Sequence, residues 1–437
     1  MKKSWPKAEP NMQPIIIGGG WSGLAAAVRL CEAGQRPIVF EAANHLGGRA
    51  RSVKWNDINI DNGQHLMIGA YHNMLDLIDR LQLDQRQLFA RQPLDFIIDD
   101  PHYPPLTLSA RSSLPWPFAL LPSLYKSLGW RDTYRFIRLA MQLKTTSRRS
   151  NLSVMQWCEQ SRQSHRLIEQ LWKPLCLAIL NTPLEQASAR VFAQTLQDSL
   201  AADRQAADLL IPQKPLGEII AEPAGQFILA HGGDVRRRNR VKKICITDGS
   251  VTGVISQSGE TTLTNQVIVA VAPNALQTLL GDVLSCAPVM EYPITTVYLQ
   301  FSADYRLPAL MRGASNRLTQ WVFDRSDLSP GLLAVVISGQ GSHEAFSKQQ
   351  LAEALVDELT DMLGTSPGKL HSSQVIREKR ATFCCGVVEN DQRPSTKTQI
   401  EGLYLAGDYV ANAYPATLEG AIINGYRAAE DLLASVF

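Results

Sequence analysis

An α/β fold built on a parallel sheet is what this sequence predicts, and three observations predict it. Three apolar β-branched residues, Ile15, Ile16 and Ile17, run directly into Gly18, Gly20 and Gly23 in G-x-G-x-x-G spacing. An apolar-sided stretch through Leu24, Val28, Leu30 and Cys31 then reaches Gly34 and a second apolar run, PIVFE, whose last residue is the acid Glu41. Near the C-terminus, LYLAGDYV repeats the pattern of an apolar strand ending in a glycine, and ATLEGAIINGYRAAEDLL follows it as a helix. Strand, glycine turn, helix and acid-tipped strand make a Rossmann-type dinucleotide-binding domain, and the chain between the two ends supplies an inserted α+β domain.

Each part of the first segment has a physical reason. Gly18 permits the tight turn, Gly20 lets the backbone approach a pyrophosphate, and Gly23 lets the helix pack closely on the strand. The helix N-terminus favours an anion through its unpaired N–H groups and its dipole. Glu41 follows Gly23 by 18 positions, the spacing of an acid that takes a ribose hydroxyl pair. A 2′-phosphate would be repelled there. Between NAD and FAD, two later features select FAD. Gly47-Gly48-Arg49 forms a loop that brings N–H groups and one fixed cation to a diphosphate. Gly407-Asp408 ends the late strand, where the acid can meet the ribityl chain or a phosphate-bridging water, and the helix starting near Leu418 can face the flavin ring.

Those residues resemble the flavin amine oxidase and phytoene desaturase superfamily, whose members join an N-terminal G-x-G-x-x-G, a GGR segment and a C-terminal GD strand. Within it, LWKPLCLAILNTPLEQASARVF (Leu171 to Phe192), KRATF (Lys379 to Phe383) and PATLEGA (Pro415 to Ala421) are similar to the hydroxysqualene dehydroxylases, squalene-associated flavoenzymes of bacterial hopanoid pathways. Tyr409 stands where that family tends to have Trp, and CCGVVENDQRP where it has a proline-bearing stretch. The resemblance implies FAD as cofactor, a backbone contact from Val241 to the adenine, and a long apolar isoprenoid substrate, hydroxysqualene, reduced to squalene. Loss of water from that allylic alcohol leaves a cation that reduced flavin quenches with hydride. The site must add an apolar tunnel, a proton donor and exclusion of water. Candidate donors are His65, Glu185, Asp203 and Asp208. His65 is favoured because imidazole titrates near neutral pH and the resemblance places its segment beside the flavin. Lys173 and Glu185 read as a helix-surface pair. Two alternatives share the fold: a carotenoid (phytoene-type) desaturase, and an amine oxidase caged by Tyr409 and Tyr414.

The remaining chain fits this organisation. At 437 residues it exceeds what one core usually supports, so two domains are expected: 12–85, 220–290 and 395–437 for FAD, and 86–219 with 291–394 for substrate. From Phe227 a β-meander is expected, with a hairpin turn at Asp248-Gly249-Ser250 and QVIVAVAP returning to the first sheet. TTVYLQF and GLLAVVISG read as substrate-domain strands. Hydrophobic residues make up 45% and charged residues 19%, and a net charge of +2 gives no footprint for nucleic acid. Seven cysteines without metal-type spacing indicate a reduced, cytoplasmic protein with no metal site. MKKSWPKAEPNMQP lacks an apolar signal core, and no run is long enough to span a bilayer. Residues 112–130 are rich in Trp, Phe, Leu and Pro, and the following helix sets Arg131, Arg135 and Arg138 on one face, with Lys144, Arg148 and Arg149 beyond. An aromatic loop beside a basic face predicts peripheral contact with anionic lipid on the inner face of the cytoplasmic membrane. The donor that reduces the flavin leaves no mark in the sequence.

Overall fold

Ile15–Ile17 is a strand of only three residues, all buried, because both faces of its sheet are covered. A computed structural model describes residues 12–280 and 289–435 of the chain; the first eleven residues, where the signal-peptide expectation falls, lie outside it. Five parallel strands form the first sheet in the order Asp234–Arg236, Ile38–Phe40, Ile15–Ile17, Val267–Val269, Leu403–Leu405. QVIVAVAP therefore pairs beside the first strand, and LYLAGDYV beside QVIVAVAP. The helices Trp21–Glu32 and Leu418–Ala434 pack on one another against this sheet, where Gly425 comes so close that an added Cβ would lie 2.2 Å from the Ser22 carbonyl oxygen. Each fully buried Ile or Leu in this layer contributes roughly 1.5–3 kcal/mol, so the sheet survives with very short strands.

A second sheet has seven strands in the order Ser372–Phe383, Glu291–Gln300, Leu332–Ser338, Trp321–Asp324, Met311–Ala314, Asp95–Asp99, Leu106–Ser109. All its pairs are antiparallel except Met311–Ala314 with Asp95–Asp99. One face packs on the helix Lys348–Leu363, capped by a Ser347–Gln350 box, through Val297, Leu299, Val335 and Leu355. The other face looks towards helices Lys173–Leu180 and Ala189–Leu196. A small antiparallel sheet of Met67–Ile68, Leu209–Pro212 and Phe89–Gln92 ties the segment after the glycine loops to the helical layer.

Two expected elements differ. Phe227 to Ala230 are helical, in Glu222–Ala230, because Ala224, Gly225 and Ile228 pack beside Leu24 and Val28 with Pro223 in the first turn. The meander is Val241–Thr247, Ser250–Ser256 and Thr261–Leu263; Asp248 (φ 51°) and Gly249 (φ 81°) make its hairpin turn. The basic helix begins at Leu121, ten residues before Arg131, with Pro122 at its start; Gly129 (φ 72°) breaks it before it ends at Ala140. Among the described residues, no helix is long and apolar enough to cross a membrane.

Candidate active site

Between the two sheets lies a cavity of about 900 Å³, near the top of the roughly 300–1,000 Å³ range of ligand sites. Its glycine end is built by backbone. Gly18 sits at φ +112°, where an added Cβ would lie 2.5 Å from the Ala270 carbonyl oxygen. A Cβ on Gly23 would lie 2.0 Å from the Gly18 carbonyl oxygen, so helix and strand touch there and Gly23 itself does not line the cavity. Gly20 is different, since its nearest non-neighbour is the Gly48 Cα at 3.9 Å and a side chain would project into open space. Gly20 also heads the helix Trp21–Glu32 without a side-chain cap. Ser22 Oγ and Trp21 Nε1, both of cavity-lining residues, are buried without a partner among the described residues. An uncapped helix start, a glycine opening and an orphaned hydroxyl together suit a diphosphate.

Glu41 lines the same end, with Oε2 accepting from the Gly19 N–H and Oε1 from the Ala43 N–H, each at 2.7 Å. One lone pair per oxygen is thereby engaged and one remains for a ribose hydroxyl. Gly48, Val241, Gly407 and Leu418 also line the cavity. Arg49 does so in a way the sequence did not suggest: its Nη2 donates to Asp408 Oδ1 at 2.5 Å and its Nη1 to the Ala381 carbonyl at 2.8 Å. Burial pulls the Arg49 pKa down, but Asp408, Glu291 and Glu378 outweigh it and raise it. The GGR loop, the late strand and Ser372–Phe383 are thus tied at one guanidinium. Arg393, which sequence reasoning missed, shapes the loop after Asp408 by donating to the carbonyls of Asp408, Val410, Asn412 and Tyr414, and burial pulls its pKa down to about 10.

His65 lines the cavity beside Gly63, with Nδ1 2.6 Å from the Gly63 carbonyl oxygen. A carbonyl can only accept, so Nδ1 carries the proton. Burial lowers the His65 pKa from 6.5, the Gly63 bond pulls it back and Arg325 lowers it further. The ring is neutral near pH 7, and its Nε2 is an acceptor rather than a stored proton. None of the other candidate donors lines the cavity. Glu185 is exposed, Asp203 caps the Ala206 N–H, and Asp208 pairs with Arg91. Lys173 pairs with Glu169, one turn away, and not with Glu185. Tyr409 and Tyr414 likewise fall outside the lining, with the Tyr414 hydroxyl on Asp198, so they form no cage. What the sequence did not single out are Thr296 and Glu378, brought to the wall by strand register, and Asn62, in the loop just after Ile58–Asp61.

Beyond this polar end the cavity is walled by Phe96, Leu108, Ile179, Leu196, Trp321 and Phe323. A dinucleotide cradle opening into an apolar lobe defines a flavoprotein oxidoreductase: the protein is an FAD-dependent enzyme. The family model for flavin containing amine oxidoreductase matches residues 21–433, and the chain belongs to that family. It is similar to hydroxysqualene dehydroxylase of Rhodopseudomonas palustris, with 29% identity over 96% of this chain and 98% of that protein. It is also similar to the 15-cis-phytoene desaturase of Arabidopsis thaliana, with 23% identity over 97% of this chain and 80% of that protein. The solved structure of cyclohexylamine oxidase from Brevibacterium oxydans superposes with a TM-score of 0.73 at 16% identity, covering 98% of this chain and all of that one, which speaks for the fold.

Proposed function

We propose that this enzyme reductively removes the hydroxyl of hydroxysqualene to give squalene for hopanoid and related triterpenoid biosynthesis. One observation carries the reading: cradle and apolar lobe are a single cavity, so a hydrocarbon chain in the lobe lays a carbon against the cofactor's reactive end. Similarity to the Rhodopseudomonas dehydroxylase over nearly its whole length supports that substrate over an amine. Bound FAD, when reduced, supplies hydride. Gly18, Gly20, Gly48 and the helix start hold the diphosphate, Glu41 the ribose and the Val241 backbone the adenine; Gly407, Asp408 with Arg49, and the helix start at Leu418 border the flavin. Neutral His65 accepts a hydrogen bond at Nε2 from the substrate hydroxyl and so orients it. Apolar walls keep water from a developing allylic cation. Residues 12–85, 220–290 and 395–437 serve the cofactor, and 86–219 with 291–394 the substrate.

A water-insoluble substrate also accounts for the surface. Six of the ten exposed large apolar side chains among the described residues lie between Leu114 and Met141, interleaved with the exposed cations Lys126 and Arg131. This stretch rests on anionic lipid, leaving the protein peripheral on the cytoplasmic face of the membrane. The test is a single turnover of anaerobic enzyme whose flavin carries deuterium at its hydride position. Squalene deuterated at the carbon that lost oxygen is expected; squalene without deuterium refutes direct transfer. Desaturation of a polyene by the oxidised enzyme, with no squalene from the reduced one, would establish the phytoene-type alternative.

A further inference from the structure

We propose that Glu378 is the catalytic acid that protonates the departing hydroxyl. This rests on the dehydroxylation reading above. Three carboxyl side chains line the cavity among the described residues: Glu41, Glu378 and Asp408. Glu41 is engaged by two backbone N–H groups at the glycine end, and Asp408 by Arg49. Glu378 stands on the sheet wall, near enough for its charge to act on Arg49 but in no ion pair with it. In Ser372–Phe383 it pairs with Ile294, which pairs in turn with Ser338, and all three line the cavity as one row across the sheet. The adjoining row runs Thr296, Val336, Trp321 into the apolar lobe. Its strand neighbour Arg377 is turned to the opposite face, where it donates to the Phe346 carbonyl.

Position and orientation both suit the task. Three residues along the strand from Glu378, the Ala381 carbonyl receives Arg49, so the acid sits where the cofactor end meets the lobe. Asn62 Nδ2 donates to its Oε2 at 3.2 Å and the Arg380 N–H lies 3.4 Å from its Oε1, which fixes the carboxyl without neutralising it in an ion pair. Asn62 also begins the segment through Gly63 to His65, so the acid and the imidazole are held by one stretch of wall. The substrate hydroxyl then donates to His65 Nε2 and accepts from Glu378. In the step, the Glu378 proton moves to the hydroxyl oxygen, the C–O bond breaks with its electron pair leaving as water, and the allylic carbon takes hydride from reduced FAD. The carbon is reduced, the flavin oxidised, and the Glu378 carboxylate regains a proton from solvent.

The experiment compares wild type with Glu378→Gln in anaerobic single turnovers, on hydroxysqualene and on the corresponding allylic chloride, whose leaving group needs no proton. Background solvolysis of the chloride is subtracted, and FAD content is measured for both proteins. Glu378→Gln is expected to keep its FAD and to form squalene from the alcohol at least about 100-fold more slowly, the usual size of general-acid catalysis. On the chloride it should run within a few-fold of wild type, a rescue that damage to the fold would not permit. Equal rates on the alcohol, or equal losses on both substrates, overturn the assignment of Glu378 while squalene from wild type keeps the dehydroxylation reading. Conversion of neither substrate by reduced wild type overturns that reading, and the assignment with it.

Discussion

Glu41 does two jobs with one carboxylate. Its bonds to the Gly19 and Ala43 N–H groups shape the glycine turn, and its remaining lone pairs are left for the proposed ribose contact. Hydrogen bonds to a charged group contribute about 1.5–3 kcal/mol, so Glu41→Ala should weaken FAD binding at least about tenfold, read by flavin titration of the apoprotein. Gly20→Val places a side chain in the open path of the diphosphate and should purify with little FAD; full occupancy would sink the placement of the cofactor. Asp61 carries a different prediction. It is buried, its Oδ1 accepts the Leu216 N–H at 2.8 Å, and its Oδ2 has no partner among the described residues. Burial, chiefly, raises its pKa from 3.8 to about 6, so the folded chain holds a proton that the unfolded chain has released, and stability declines as pH rises through that window. Asp61→Asn keeps the Oδ1 acceptor and removes the charge. It should melt higher than wild type at pH 7, by roughly 1–3 kcal/mol, with the gain vanishing below about pH 4. An unchanged or lower melting temperature at pH 7 in a thermal scan would refute this account. Glu41 was legible because spacing along one strand and helix fixes it. Glu378 and Arg393 were not, since Glu378 meets Asn62 across 316 residues and Arg393 acts through carbonyls that no side-chain pattern records.

Helix Leu121–Ala140 shows how an element can be foreseen in kind and differ in form. Arginines at helical spacing predicted a basic face, yet Arg135 pairs with Asp132 and Arg138 with the Gln160 carbonyl, leaving Arg131 stacked on Trp130 and Lys126 exposed. Gly129 turns the chain at φ 72°, a break that a glycine permits but does not announce. Trp116, an expected lipid contact, is half-buried with its Nε1 inside, whereas Phe118, Trp130 and Tyr134 are 58%, 67% and 64% exposed. The set proposed to face lipid therefore moves to those three. The loop that carries Leu114 is held by Arg204, which donates to the carbonyls of Ala110, Ser112 and Leu114. Phe118→Ser with Trp130→Ser and Tyr134→Ser should abolish co-sedimentation with anionic vesicles at low salt. Lys126→Gln with Arg131→Gln should weaken it about thirtyfold, at ~1 kcal/mol per cation, with the difference lost in high salt. Binding equal to wild type in both variants would remove the lipid contact.

The parallel sheet supplies a cradle that backbone alone can build, and the seven-stranded sheet supplies a dry wall that side chains must build. The proposed chemistry falls where the two meet, and the topology brings them together by returning the chain to the first sheet at Val267–Val269 and again at Leu403–Leu405. The parallel strands were visible in sequence because apolar runs and glycines are local signals; the order of the antiparallel wall was not, because pairing depends on register between distant strands. That wall has a function that can be measured separately from hydride transfer. An allylic cation formed in a site without water meets hydride first, whereas one water held in the lobe returns the alcohol. Val336 faces the cavity in the row between Thr296 and Trp321, and threonine there keeps the shape while adding a hydroxyl able to hold a water. In ¹⁸O-labelled water, Val336→Thr should return substrate carrying ¹⁸O and yield less squalene per turnover, while wild type exchanges little. The flavin should remain bound, since the change lies on the substrate side of Arg49 and Asp408. If the variant incorporates no more ¹⁸O than wild type while its squalene yield falls, the lobe is positioning the chain and not excluding water, and the dry-wall account fails.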